Sequence, residues 1–202
     1  MRSWKPSKCR SAWRWAWNAT PALALACVLG GCGGGSEWFP LEVGRSWTYT
    51  VRTGYVTYVE SVRVERSLSV AGKKGYELAG PMGRSRVAWS SGVLRAESLP
   101  NARFDPPLPI LIADGLAGKR TWSGSLESPE GRFEAKATLE QSPESIRVGV
   151  KRFDAVKTRV LLRYGGRRIE ALTWYARDAG PVRQEQRTDG DLDVAMELLG
   201  GQ

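Results

Sequence analysis

Alternation of apolar and polar side chains, broken at short intervals by turn-forming residues, governs most of this chain. Trp47, Tyr49 and Val51 alternate with Ser46, Thr48 and Thr50, and Val56, Tyr58, Val62, Val64, Leu68 and Val70 continue with the same period. A period of two sends successive side chains to opposite faces of an extended strand, whereas a helix needs apolar residues three and four apart. The run from Val56 to Val70 is long enough to bend or to carry a bulge. Turn signals recur at Ala71–Gly75, Gly80-Pro81, Ser90–Gly92, Pro129–Gly131, Ser142–Glu144, Gly165-Gly166 and Asp189-Gly190. The pattern predicts an all-β fold: a curved antiparallel meander of about ten strands, a half-barrel or open barrel, with little helix. Asn101–Pro109 carries Pro106, Pro107 and Pro109 and reads as a crossing loop, because proline cannot donate to a ladder. A short helical turn is expected within Leu108–Leu116.

The hairpin around Gly165-Gly166 is the most closely determined piece. A two-residue loop pairs Tyr164 with Arg167 and fixes the register of both strands. Val156, Thr158, Val160 and Leu162 then share a core face with Ile169, Ala171, Thr173 and Tyr175. The opposite face carries Lys157, Arg159, Arg163, Arg168 and Glu170 together with Leu161, Leu172 and Trp174. Those apolar members predict that a neighbouring element partly covers it. Gly44-Arg45-Ser46-Trp47 and Lys119-Arg120-Thr121-Trp122 form a weak internal echo, each opening an alternating region.

The first 31 residues follow a different logic. Arg2, Lys5, Lys8, Arg10 and Arg14 precede a mostly apolar run from Trp15 to Leu29 and then small residues, the order of an export signal. Asn18, Thr20 and Pro21 interrupt a run already shorter than the ~20 apolar residues that span a bilayer, which argues against an uncleaved anchor. Leu29-Gly30-Gly31-Cys32 resembles a lipobox, in which Cys32 is diacylated on sulfur and becomes the new N-terminus; two acyl chains give stable membrane attachment. Ala24-Leu25-Ala26 before Cys27 also fits ordinary signal cleavage, and Leu29 favours Cys32. The expected organisation is therefore a leader over 1–31, a lipidated cysteine and flexible tether over 32–37, and one β-rich domain over 38–200. With Gly33 in place of Asp after the cysteine, the resemblance to lipoproteins implies the outer membrane, if the organism has one, and a domain facing the periplasm.

Removing the leader leaves 25 Lys and Arg against 21 Asp and Glu, so the basic excess of the whole chain does not point to nucleic acid. Cys9 and Cys27 depart with the leader and Cys32 is acylated, so no thiol remains for a disulfide or a metal. The chain has no histidine, which excludes a Ser-His-Asp triad, a Cys-His dyad and His-ligated zinc. A hydrolase built on paired carboxylates would draw on Asp105, Asp114, Glu134 or Glu170, but nothing marks these acids out. Asp189-Gly190-Asp191-Leu192-Asp193 is reminiscent of a calcium loop but lacks the remaining ligands, and a hairpin turn is the expectation. No enzyme activity, cofactor or metal is expected.

Phe39-Pro40-Leu41-Glu42-Val43-Gly44-Arg45-Ser46-Trp47-Thr48-Tyr49 resembles the opening of a group of bacterial envelope lipoproteins labelled TapB-like. Phe153-Asp154-Ala155-Val156-Lys157 is similar to a later strand of that family, and Trp174-Tyr175-Ala176 with Gly180 and Val182 to its closing segment. Gly118–Trp122 matches its second Gly-x-x-Trp element with one extra residue, and Lys151 replaces a turn glycine. The resemblance implies a curved antiparallel sheet similar to the half-barrels of LolA and LolB type carriers, and no established activity.

Three kinds of function follow as expectations. A membrane-tethered, non-enzymatic domain that binds or scaffolds leads. If it takes a hydrophobic or amphiphilic ligand, Trp47, Tyr49, Tyr58, Trp89, Trp122 and Tyr175 are the candidate lining, although core packing is their ordinary role. The alternative is a basic face for lipopolysaccharide phosphates or acidic glycans. Lys157, Arg159, Arg163 and Arg168 are its main candidates, out of a set that also includes Lys151, Arg152 and Arg167. An enzyme is the third.

Overall fold

The computed structural model describes residues 37–201. The expected leader, the expected acylation site Cys32 and the expected tether residues 33–36 lie outside the described residues. Twelve strands follow one another: β1 (Ser46–Thr53), β2 (Val56–Val70), β3 (Lys73–Gly80), β4 (Gly83–Ser90), β5 (Val93–Leu99), β6 (Ala102–Ile112), β7 (Gly118–Ser128), β8 (Gly131–Val148), β9 (Lys151–Tyr164), β10 (Arg167–Ala176), β11 (Gly180–Thr188) and β12 (Asp191–Gly201). Each pairs antiparallel with its neighbours in sequence, and β1 pairs with β12 from Trp47 and Gly201 to Arg52 and Ala195, which closes a barrel. The expected antiparallel meander is present, with twelve strands and no open edge.

The alternation places the strands as predicted where it is clearest. Tyr164 pairs with Arg167, and Val156 with Tyr175. A register shift in β2 between Val64 and Arg66 gives the bulge expected of so long a strand.

Three local expectations are corrected. The proline-rich stretch is strand β6, and no helical turn forms within Leu108–Leu116: Leu108 and Pro109 pair with Ala96 and Arg95 of β5. On the other side, β6 pairs with β7 only from Arg103 to Asp105, because from Pro106 onward the missing N–H groups weaken that ladder. Ser142–Glu144 is not a turn, since Pro143 lies inside β8 opposite Val156. The β7 ladder ends at Gln141, so Pro143 sits where β8 has lost that partner and its missing donor costs little.

Two clusters fill the inside. The first contains Trp47, Tyr49 and Val51 of β1, Leu78, Val87 and Leu94 of β3 to β5, and Val156, Tyr175 and Met196 of β9, β10 and β12. It thus joins strands from opposite sides of the ring. The second contains Phe104, Leu108, Trp122, Leu126, Leu139, Val160 and Leu162 from β6 to β9. Such burial, at roughly 25 cal/mol per Å² of apolar area, is the main stabilising term. The outer side bears charges, among them Lys136, Arg163 and Arg168, all exposed. A barrel that crosses a bilayer has the opposite polarity, with an apolar outer band. Among the described residues no helix is long and apolar enough to cross a membrane.

Glu37 to Gly44 extend across one end of the barrel. Trp38, Phe39 and Leu41 are buried, with Phe39 tilted against Trp47 and Tyr175 at ring-centroid distances of 5.3 and 5.8 Å. The Arg177 guanidinium lies 4.5 Å from the Trp38 ring centroid and pairs with Glu37. The turn between β10 and β11 therefore holds the entering chain against the core.

Candidate functional site

The six aromatic candidates do not converge on one cavity. Trp47, Tyr49 and Tyr175 belong to the first cluster, with Tyr58 and Trp89 packed at its margin; Trp122 belongs to the second. Trp47 is fully buried and donates its indole N–H to the Ala179 carbonyl at 2.6 Å, and Tyr49 donates its hydroxyl to the Pro181 carbonyl at 2.9 Å. Trp122 donates to the Pro106 carbonyl at 2.9 Å and meets Phe104 edge-on. Burial pushes the Tyr49 phenol well above its ordinary range, aided by the nearby Tyr175, and raises Tyr175 as well. The polar tips of Trp47, Tyr49 and Trp122 are spent on backbone carbonyls, the buried Trp89 N–H has no partner among the described residues, and the rings pack as core.

The outer face is where polar chemistry gathers. A shallow cleft of about 340 Å³ opens over β7, β8 and β9, lined by Thr121, Ser123, Lys136, Thr138, Leu161 and Arg163. Register dictates this set. Thr121 faces Thr138 and Ser123 faces Lys136; Thr138 faces Leu161 and Lys136 faces Arg163; Arg163 faces Arg168 of β10. The result is one row of Ser123, Lys136, Arg163 and Arg168 beside another of Thr121, Thr138 and Leu161. Leu161 is half-buried and supplies the apolar floor.

The four basic candidates divide within this face. Lys157 pairs with Glu144 at 3.2 Å and covers the Trp174 ring at 5.1 Å. Arg159 bridges Glu140 and Glu170, and these carboxylates raise the basicity of the guanidinium. Hydrogen bonds and charge from Lys119 and Arg159 hold the Glu140 carboxyl below its usual range. Arg163 and Arg168 have no carboxylate partner among the described residues, and neither does Lys136, which alternation alone did not single out because it lies on a different hairpin. Asp189 uses its carboxylate on the backbone N–H of Arg168 at 2.9 Å. Of the remaining cations in the broader set, Arg167 pairs with Glu130 and Arg152 donates to the Ser145 hydroxyl.

Trp174 explains the apolar residues on this second face. It is buried with Val148, Ala155, Ala176 and Val182 in a third cluster, donates to Glu144 at 3.2 Å and lies under Lys157 and Arg183. Among the described residues the side chains of Lys157 and Arg183, in place of the expected neighbouring element, cover Trp174, while Leu161 lines the open cleft.

The acidic candidates are dispersed in role. Glu170 is engaged by Arg159, Asp105 approaches Arg132 at 4.0 Å, Asp114 accepts the Leu116 N–H in a turn, and Glu134 is exposed on β8. Among the described residues no three His, Cys, Asp or Glu side chains group as metal ligands. Asp189 to Asp193 form the β11–β12 hairpin, with Asp193 accepting from Thr188 at 2.6 Å.

The molecule is thus a closed antiparallel barrel with an apolar, filled interior and a polar, cationic outer cleft. Comparison with family models and with curated proteins found no match. Solved structures of similar fold include a "putative lipoprotein" from Parabacteroides distasonis, at 16% identity and a TM-score of 0.49, covering 82% of this chain and 98% of the other. A "putative exported protein with YmcC-like fold" from Bacteroides fragilis has 16% identity and a TM-score of 0.48, covering 80% and 96%. The "hypothetical lipoprotein YmcC" from Escherichia coli has 12% identity and a TM-score of 0.41, covering 77% and 83%.

Proposed function

We propose that this chain is a lipid-anchored bacterial envelope protein, tethered through Cys32 to the outer membrane and facing the periplasm, whose barrel is a non-enzymatic platform that binds on its outside. One observation supports an external working surface over an internal ligand. Residues from β1, β3, β4 and β5 meet those from β9, β10 and β12 in a single cluster, so side chains occupy the space that a carrier would leave for an acyl chain. The lipobox-like Leu29-Gly30-Gly31-Cys32 supports the anchor.

Two measurements test the reading. Labelling with radioactive palmitate should mark the native chain, and Cys32→Ala should abolish the label and release the protein from the membrane fraction. Native mass spectrometry of protein extracted from membranes should show the acylated chain alone. A stoichiometric second amphiphile retained in the barrel would overturn the external reading, and a membrane-bound, palmitate-labelled Cys32→Ala variant would overturn the anchor.

A further inference from the structure

We propose that the cleft over β7 to β9, with Arg168 at its rim, binds the phosphomonoester of a soluble phosphorylated saccharide. The assignment rests on the reading of the outer barrel as the working surface.

Three cations without a carboxylate partner among the described residues stand side by side on this face. Lys119, Lys157, Arg159, Arg167, Arg183 and Arg187 of β7 and β9 to β11 each have a glutamate partner. Lys136, Arg163 and Arg168, consecutive across three strands on the same face, have none among the described residues. Directly opposed side chains in a ladder stand about 4.5–5.5 Å apart at Cβ, and like charges there are unfavourable. A bound anion would convert that repulsion into attraction.

The lining specifies the anion. A phosphomonoester carries about −1.5 to −2 charges and three acceptor oxygens, which three cations adjacent across the ladder match better than they match a single carboxylate. Arginine meets phosphate with two parallel N–H donors. The hydroxyls of Thr121, Ser123 and Thr138 line the same cleft and can serve either phosphate oxygens or sugar hydroxyls, while Leu161 offers an apolar surface to the C–H face of a sugar ring.

Position selects a soluble source over a lipid headgroup. Arg163 is seven residues along β9 from Val156, whose partner Tyr175 packs on Phe39 of the entering segment. At the rise of a strand that separation is about 23 Å. Arg163 and Arg168, beside the β9–β10 turn, thus lie toward the barrel end away from the β10–β11 turn that holds the entering segment.

The test is a titration of the full acylated protein in non-ionic detergent with glucose 6-phosphate, glucose, glucuronate and inorganic phosphate, and, after detergent removal, with vesicles containing phosphatidic acid. Glucose 6-phosphate should bind, glucuronate at least tenfold more weakly, and glucose not detectably. K136Q/R163Q/R168Q should lose at least tenfold in affinity and unfold at the same temperature or higher, since it relieves repulsion. Should that triple variant not fold, R163Q alone should lose at least threefold. K73Q/K74Q, in a second surface cleft lined also by Ser67 and Ser69, should change affinity less than twofold. Native affinity in the folded triple variant, or an equal loss in K73Q/K74Q, would overturn the site. Equal binding of inorganic phosphate would overturn the saccharide, and a tenfold preference for the vesicles would assign the site to lipid. An amphiphile found inside the barrel would overturn the external platform without altering these affinities.

Discussion

Trp47 and Gly180 touch so closely that a Cβ on the glycine would stand 2.9 Å from the indole Nε1. Gly180 also has φ +82°, a backbone conformation costly for any residue with a Cβ. The contact lets the indole reach the Ala179 carbonyl and fixes the β10–β11 turn against β1. Gly180→Ala should therefore destabilise the barrel by about 2–4 kcal/mol, read as a lower urea midpoint with an unchanged slope. In a Trp47→Phe background the same substitution should cost less, because the clashing ring edge is gone. Equal costs in the two backgrounds would show that the strain is in the backbone alone.

Gln141 acts as a substitute for missing ladder bonds. It is 4% exposed; its Oε1 accepts the Ile112 N–H at 2.8 Å, and its Nε2 donates to the carbonyls of Ile112 and Leu116 at 3.1 and 3.0 Å. β6 needs these bonds because its pairing with β7 ends at Asp105. Gln141→Ala should cost about 2–4 kcal/mol, since buried polar groups of Ile112 are left unpaired. Amide hydrogen exchange should accelerate at Ile112 far more than in the β9–β10 hairpin.

This same seam shows where the sequence was legible. Around Gly165-Gly166 the turn and the alternation agree, so register and both faces follow from the residues. In β6 they conflict: Pro106, Pro107 and Pro109 argue against a strand, and pairing with β5 on one side, with the distant Gln141 and Trp122 bonding its backbone on the other, makes a strand tenable. Closure was hidden for a similar reason, because pairing of Trp47 with Gly201 joins opposite ends of the domain. The candidate site was half visible. Arg163, Arg168 and the Arg159 partner Glu170 share a face by alternation within one hairpin, whereas the third cation, Lys136, and the glutamates Glu140 and Glu144 depend on the register with β8.

Glu77 should control acid stability. Its side chain is 1% exposed and contacts Arg66, Arg84 and Arg86 at 2.9, 2.6 and 3.0 Å. Burial raises its pKa, but the hydrogen bonds and charge of the three arginines outweigh this and hold it below the ordinary 4.5. A depressed carboxylate contributes stability above its unfolded pKa and loses it as pH falls through the folded value. Native protein should thus keep this contribution from neutrality down to about pH 5 and lose it progressively below about 4.5. Glu77→Gln should be less stable by about 1–3 kcal/mol at pH 7, and the gap to the native protein should close as pH falls from 4.5 toward 3. A gap that stays constant over that range would refute the ionic role.

Tyr49 should set the alkaline limit together with Tyr175. Both phenols are buried and shifted upward, and an acid whose folded pKa is raised binds its proton in the native state after the unfolded chain has released it. The barrel should therefore lose stability as pH rises above about 10, the value for a solvated phenol. Tyr49→Phe removes the hydrogen bond to Pro181 and should cost about 1 kcal/mol at pH 7, yet it should flatten the decline above pH 10 because one of the two linked protons is gone. Urea midpoints from pH 7 to 11 test both effects, and a variant that declines as steeply as the native protein would show that Tyr49 ionises without unfolding.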